Sequence, residues 1–186
     1  MSAVIALIGP SGSGKSTLGK ALAERLGWTF LDSDREIERR EGCSIADIFR
    51  DSGEAEFRRL ERRLLDELKE SRSKELVLAT GGGLPVVADN WRELDSFACT
   101  VFLTAPLEVL VTRINRGENR PLLSPGASAS EAFEADAVKQ RLGKLIAERE
   151  SIYNRARYKI DTSAKPFEQL IEELLELVAS VKRPTT

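Results

Sequence analysis

Short apolar runs recur along the chain at Val4–Ile8, Thr29–Leu31, Leu76–Ala79, Thr100–Leu103 and Tyr158–Ile160, and each reads as a strand. The stretches between them carry a helical period instead. Leu18, Leu22 and Leu26 share one face of a segment starting at Thr17. Phe57, Leu60, Leu64, Leu65 and Leu68 form a stripe within Glu54–Lys69. Pro106–Asn115 opens with a proline, which suits a first helical turn. Pro166–Val181 places Phe167, Leu170, Ile171, Leu174, Leu175 and Val178 at three- and four-residue spacing. Strands alternating with helices predict an α/β fold around a parallel sheet. These stripes are read as core. The whole chain, 1–186, is read as one domain.

One segment breaks the pattern. Gly117–Ala137 is rich in small, polar, Pro and Gly residues and contains Arg120-Pro121-Leu122-Leu123. Such a stretch predicts a mobile loop, or a loop with a short helix, and at this length in a compact domain a mobile lid over a site.

Composition narrows the chemistry. Apolar residues make up 41% and charged residues 31% of the chain, as in an ordinary soluble protein. The net charge is −2, so no global basic field favours nucleic acid. No apolar run approaches the ~20 residues of a membrane helix. No leader is legible before the first strand, so a cytoplasmic protein is expected. Cys43 and Cys99 lie far apart without metal-type spacing and read as packing residues or free thiols, not as a disulfide. The chain contains no histidine. General-base and metal chemistry must therefore come from carboxylates, lysine, arginine and backbone amides.

The strongest motif is Gly9-Pro10-Ser11-Gly12-Ser13-Gly14-Lys15-Ser16, a full match to G-x-x-x-x-G-K-[ST] between a strand and a helix. Glycines let backbone N–H groups converge on phosphate, and the helix N-terminus adds positive potential. Gly12, Ser13, Gly14, Lys15, Ser16 and Thr17 are thus candidates for binding ATP. Lys15 reaches the β- and γ-phosphates and Ser16 ligates Mg²⁺. Kinases, ATPases and GTPases share this loop, so it fixes the donor and leaves the acceptor open.

Further candidates lie at strand ends. Asp32-Ser33-Asp34 ends the second run, at the edge where α/β proteins bind ligands. One aspartate can serve Mg²⁺ and the other an acceptor hydroxyl, although Asp34 also suits a helix N-cap. The third run ends in Thr80-Gly81-Gly82-Gly83 without an acidic residue, which leaves Asp32 as the metal carboxylate. Arg58, Arg120 and Arg149 can grip a carboxylate or phosphate as bidentate forks, or can be solvated surface residues.

Taken in order, GPSGSGKST (Gly9–Thr17), LDSDREIERREG (Leu31–Gly42), SIADIF (Ser44–Phe49), GEAEFRRLE (Gly53–Glu61), ATGGG (Ala79–Gly83), RPLL (Arg120–Leu123) and ERESIY (Glu148–Tyr153) resemble the shikimate kinases over nearly the whole chain. The resemblance implies a three-layer α/β/α fold of P-loop kinase type, with a five-stranded parallel sheet and a mobile lid. It implies ATP-dependent phosphorylation of the 3-hydroxyl of shikimate, with Mg²⁺, by a monomer. It assigns the metal to Ser16 and Asp32, and the acceptor hydroxyl to Asp34. It assigns the shikimate carboxylate to Arg58 and Arg149, and the substrate ring to Gly81, Gly82 and Gly83. Arg113 would stack near adenine, and Arg120 would reach from the lid to phosphate and substrate. Two departures stand out. Leu84-Pro85 follows the glycines, and Pro85 is expected to alter their turn slightly by removing a donor. The segment Ser124–Asp136 lengthens the lid. The competing readings are a kinase for another small hydroxy acid such as gluconate, and a nucleotide-binding module without catalysis.

Overall fold

A computed structural model describes residues 3–71, 75–117 and 129–182. Five strands, β1 (Ala3–Ile8), β2 (Thr29–Asp32), β3 (Glu75–Ala79), β4 (Cys99–Thr104) and β5 (Tyr158–Asp161), form one sheet in the order β2-β3-β1-β4-β5. Every pairing is parallel, with Ile5 of β1 opposite Val77 of β3 and Cys99 of β4. The central strand is apolar along its length because helices cover both faces. Ile5 and Leu7 pack with Leu18 and Leu22 of α1 (Lys15–Leu26) and with Ile171 and Leu174 of α7 (Phe167–Lys182). Ala6 and Ile8 face the other layer, where Leu65, Trp91, Leu94 and Tyr153 lie. That layer is built from α3 (Ile45–Glu70), α4 (Ala88–Phe97) and the end of α6 (Ala129–Tyr153). The three-layer α/β/α arrangement and its five parallel strands agree with expectation.

The predicted strands agree with the observed ones to within one residue at each end, inside the ordinary uncertainty of element ends. The helices differ more. Glu54–Lys69 is only the second part of α3, in which Gly53 (φ 79°, ψ 173°) interrupts two helical stretches. Ser44 starts the first stretch with a capping box, accepting from Asp47 N at 3.1 Å. The helices expected from Pro106 and Pro166 begin one residue later, as α5 (Leu107–Gly117) and α7. Helix α2 (Ser33–Glu41) follows β2 directly and packs through Ile37 against Ile48, Phe57, Leu60 and Leu64.

Most of the expected lid, residues 118–128 with Arg120, lies outside the described residues. From Ala129 onward the segment is helix α6, so the helix allowed beside the loop is present and is long rather than short. Pro85 is buried in a short 3₁₀ turn, Leu84–Val86. Leu84 N still donates to Gly81 O at 3.2 Å and Val86 N to Gly83 O at 3.0 Å. The proline therefore sits at the start of a helical turn, where an N–H has no intrahelical partner, and the glycine turn keeps its bonds. Among the described residues no helix is long and apolar enough to cross a membrane.

Candidate functional site

The sheet order reverses at β1, whose neighbours are β3 and β4, and ligands of open α/β sheets bind outside such a point. The glycine loop emerges there. Gly9, Gly12 and Gly14 have φ of 138°, 78° and 94°, values that side-chain-bearing residues rarely adopt. A Cβ on Gly12 would stand 2.7 Å from Leu110 O, so the loop lies too close to α5 for any other residue. Gly14 starts α1 without a side-chain cap, which leaves the first amides of that helix free for an anion. The cleft in front of the loop measures about 560 Å³. Gly12–Thr17, Asp32, Asp34, Gly81, Gly82 and Arg113 all line it, so the expected nucleotide and hydroxyl groups share one cavity.

Lys15 donates to Gly9 O at 3.0 Å and Pro10 O at 2.8 Å, which folds the ammonium into its own loop. Burial lowers its pKa to about 8, while the charges of Asp34 and Asp32 pull the other way. Between about pH 8 and 10.5 the unfolded chain thus holds a proton that the folded chain has lost. In this window Lys15 makes the fold more stable as pH rises, by at most about 1.4 kcal/mol per pH unit. The effect disappears below pH 8, where Lys15 is protonated in both states. Urea unfolding of the parent and Lys15→Met across pH 7.5–10 is expected to show a stability difference that grows in favour of the parent above about pH 8. A difference independent of pH would contradict the enclosed ammonium.

Asp32 has two tasks. Its Oδ1 accepts from the backbone amides of Asp34 (3.2 Å) and Arg35 (3.3 Å), capping α2. Its Oδ2 accepts from the Ser16 hydroxyl at 2.5 Å. The helix cap weighed for Asp34 therefore belongs to Asp32, two residues earlier, which frees the Asp34 carboxyl for the cleft. Burial raises the Asp34 pKa and the charge of Asp32 adds to that, opposed by Lys15 and by the Ser33 hydroxyl.

The triple glycine gathers the acceptor side. A Cβ on Gly81 would overlap the Asp34 carboxylate. One on Gly82 would stand 3.6 Å from Arg149 Nη1, and one on Gly83 would stand 2.7 Å from Arg58 Nη1. Three successive positions thus touch one carboxylate and two guanidiniums. The turn is held from below: Gly81 N donates to buried Ser33 Oγ at 2.8 Å, and Thr80 N donates to Leu7 O at 3.1 Å.

Arg58 is not idle in this state. Its Nε and Nη2 donate to Glu54 Oε1 at 3.1 and 2.8 Å, and Nη1 donates to Glu61 Oε2 at 2.8 Å. Glu61 is fully buried, with Oε1 unpartnered. Burial raises its pKa against the pull of Arg58. Arg113 lies at the nucleotide side. It donates to Thr162 Oγ1 at 2.8 Å, Thr162 O at 2.7 Å and Gly12 O at 3.4 Å, tying β5 to the glycine loop.

Four residues of this site receive no role from the sequence: Ser33, Glu61 and Tyr153, which lie inside the motifs above, and Phe167, which reads as core. Ser33 and Tyr153 bond the glycine turn. Phe167, 42% exposed, lines the cleft beside Lys165 and Leu170. Glu61 had a signal. It falls four residues after Phe57 and four before Leu65, on the core stripe of α3, where a carboxylate requires a partner.

Known proteins match this arrangement. The family model described as shikimate kinase matches residues 11–179. A shikimate kinase of Persephonella marina is 39% identical over 171 residues, covering 92% of this chain and 96% of that protein. The structure of a shikimate kinase from Acinetobacter baumannii in complex with shikimate has a TM-score of 0.80 and 39% identity, with 98% of this chain and 96% of that one covered. A gluconokinase from Sinorhizobium meliloti shares the fold at a TM-score of 0.57 and 21% identity, covering 96% of this chain and 93% of that one.

Proposed function

The chain belongs to the shikimate kinase family, and we propose that it transfers the γ-phosphoryl group of ATP to the 3-hydroxyl of shikimate through the residues gathered at the glycine turn. The observation that carries this reading is the convergence of Asp34, Arg149 and Arg58 over Gly81, Gly82 and Gly83. Shikimate has hydroxyls at one end of its ring and a carboxylate at the other. One carboxylate beside the phosphate loop and two guanidiniums beyond it match that polarity.

Each group has a defined task. The loop amides and Lys15 bind the β- and γ-phosphates, so Lys15 must leave Gly9 O and Pro10 O when ATP enters. Arg113, fixed by Thr162, presents its plane to the base. Ser16 and Asp32 would hold Mg²⁺. Their fit rests on the 2.5 Å contact between Oγ and Oδ2, which sets one hydroxyl and one carboxylate side by side at the phosphate loop. Such a sparse donor set suits Mg²⁺, which takes phosphate oxygens and water. When bound, the ion neutralises charge on the β- and γ-phosphates.

Asp34 accepts the hydrogen bond of the 3-hydroxyl and aims its oxygen at the γ-phosphorus. The new P–O bond forms as the bond to the β-phosphate oxygen breaks, ADP departs, and the hydroxyl proton passes to Asp34. The raised pKa of Asp34 suits proton acceptance in an enclosed site. Arg149 and Arg58 hold the carboxylate. The exposed Glu54 now fills part of the Arg58 fork, and the substrate carboxylate must replace it, while buried Glu61 stays behind to orient the guanidinium. Arg120, outside the described residues, is assigned to phosphate and substrate by the family resemblance alone.

ADP release measured with shikimate, with gluconate and with no acceptor tests the reading. Shikimate-dependent turnover is expected, and turnover with gluconate alone would refute it. Arg58→Lys tests the clamp. A lysine cannot form a fork, so the KM for shikimate should rise about tenfold or more while that for ATP holds. A change confined to ATP would remove Arg58 from carboxylate binding.

A further inference from the structure

Tyr153 takes no part in the chemistry above, yet it is placed where the acceptor side is assembled. It is completely buried at the end of α6 and packs against Phe102 of β4 with ring centroids 5.2 Å apart. A buried phenol must spend its hydroxyl on a partner. Here the hydroxyl donates to Gly82 O at 2.6 Å. Its oxygen lies beside the guanidinium of Arg149, one helical turn earlier on the same face. The two side chains meet above Gly82, where a Cβ would lie 3.6 Å from Tyr153 Oη and 3.6 Å from Arg149 Nη1. One hydroxyl thus lies where the glycine turn of β3 meets the arginine of α6.

We propose that Tyr153 is a positioning residue for shikimate, which locks Arg149 over the glycine turn so that the guanidinium meets the substrate carboxylate in a fixed orientation. The proposal rests on the reading of Arg149 as a carboxylate clamp. Arginine loses much rotamer freedom when it binds. A rigid, buried ring against the guanidinium removes part of that freedom beforehand. The same phenol satisfies the Gly82 carbonyl. Nucleotide binding lies across the cleft and does not depend on it.

A double-mutant cycle tests this. Tyr153→Phe keeps the ring against Phe102 and removes only the hydroxyl. It is expected to raise the KM for shikimate about tenfold, with kcat and the KM for ATP within about twofold. In an Arg149→Ala background the same change should add at most about twofold, because the residue it acts through is gone. An unchanged KM in Tyr153→Phe, or the same tenfold factor in both backgrounds, would overturn the proposal. Phe102→Leu separates packing from positioning. It should lower the unfolding midpoint and leave the KM for shikimate alone; a rise equal to that of Tyr153→Phe would assign the effect to the ring. If Arg149→Ala alone leaves that KM unchanged, the clamp reading fails and the proposal falls with it. If Arg149→Ala raises the KM and Tyr153→Phe does not, the clamp stands and Tyr153 has no positioning role.

Discussion

Replacing Asp34 by asparagine is expected to lower kcat by about 10²- to 10⁴-fold, the range supplied by a positioned acid or base. The side chain keeps its size, so the glycine turn should keep its shape. What changes is the chemistry: an amide cannot take the hydroxyl proton, and its NH₂ presents a donor where an acceptor is needed. The KM for ATP should hold within about twofold, because the phosphates are bound by the loop amides and Lys15. Steady-state rates at saturating ATP and shikimate measure this directly. An unchanged kcat would remove Asp34 from the mechanism.

Gly81→Ala should lower kcat by about 10²-fold without touching the carboxylate chemically, the cost of displacing a reacting group by about 1 Å. The added methyl falls on the Asp34 carboxylate, which would have to turn away from the cleft. Because the end of a side chain yields more easily than backbone, the fold should survive. Gly82→Ala provides the contrast. Its methyl would meet Arg149, Gly9 O and Tyr153 at 3.6 Å, ordinary van der Waals contact, and Asp34 stays in place. The kcat loss should therefore be several-fold smaller at Gly82 than at Gly81. Equal losses would mean that the turn tolerates no side chain for reasons other than Asp34.

The centre of the sheet was legible because β1, β3 and β4 are nearly continuous apolar runs between helical segments, a pattern that buried parallel strands impose. The phosphate loop was legible because its glycines and lysine have fixed spacing for one geometric reason. Helix α2 was not, since its one buried apolar residue, Ile37, makes no stripe. Its start was hidden for a related reason: Asp32 is at once the last residue of β2 and the cap of α2, and two aspartates in three residues leave the choice between them open. The acceptor side was least legible. Arg58 looked like any arginine in a charged helix, and nothing in the local spacing joins it to Gly83, some twenty-five residues away (58 to 83). That contact comes from tertiary packing, as does the bond from Tyr153 to Gly82. Glu61 shows what a finer reading can use. A carboxylate on a core stripe requires a buried partner, and the arginine three residues before it is that partner.

The central claim is that Asp34 and the two arginines orient shikimate so that one particular hydroxyl meets the γ-phosphate. The most direct test incubates the enzyme with ATP, Mg²⁺ and shikimate and locates phosphorus in the product by ¹H–³¹P coupling. The account predicts one product, with phosphorus coupled to the proton on carbon 3 and one ADP formed for each shikimate consumed. Phosphorus on another hydroxyl, or ADP formed at the same rate without shikimate, would contradict it.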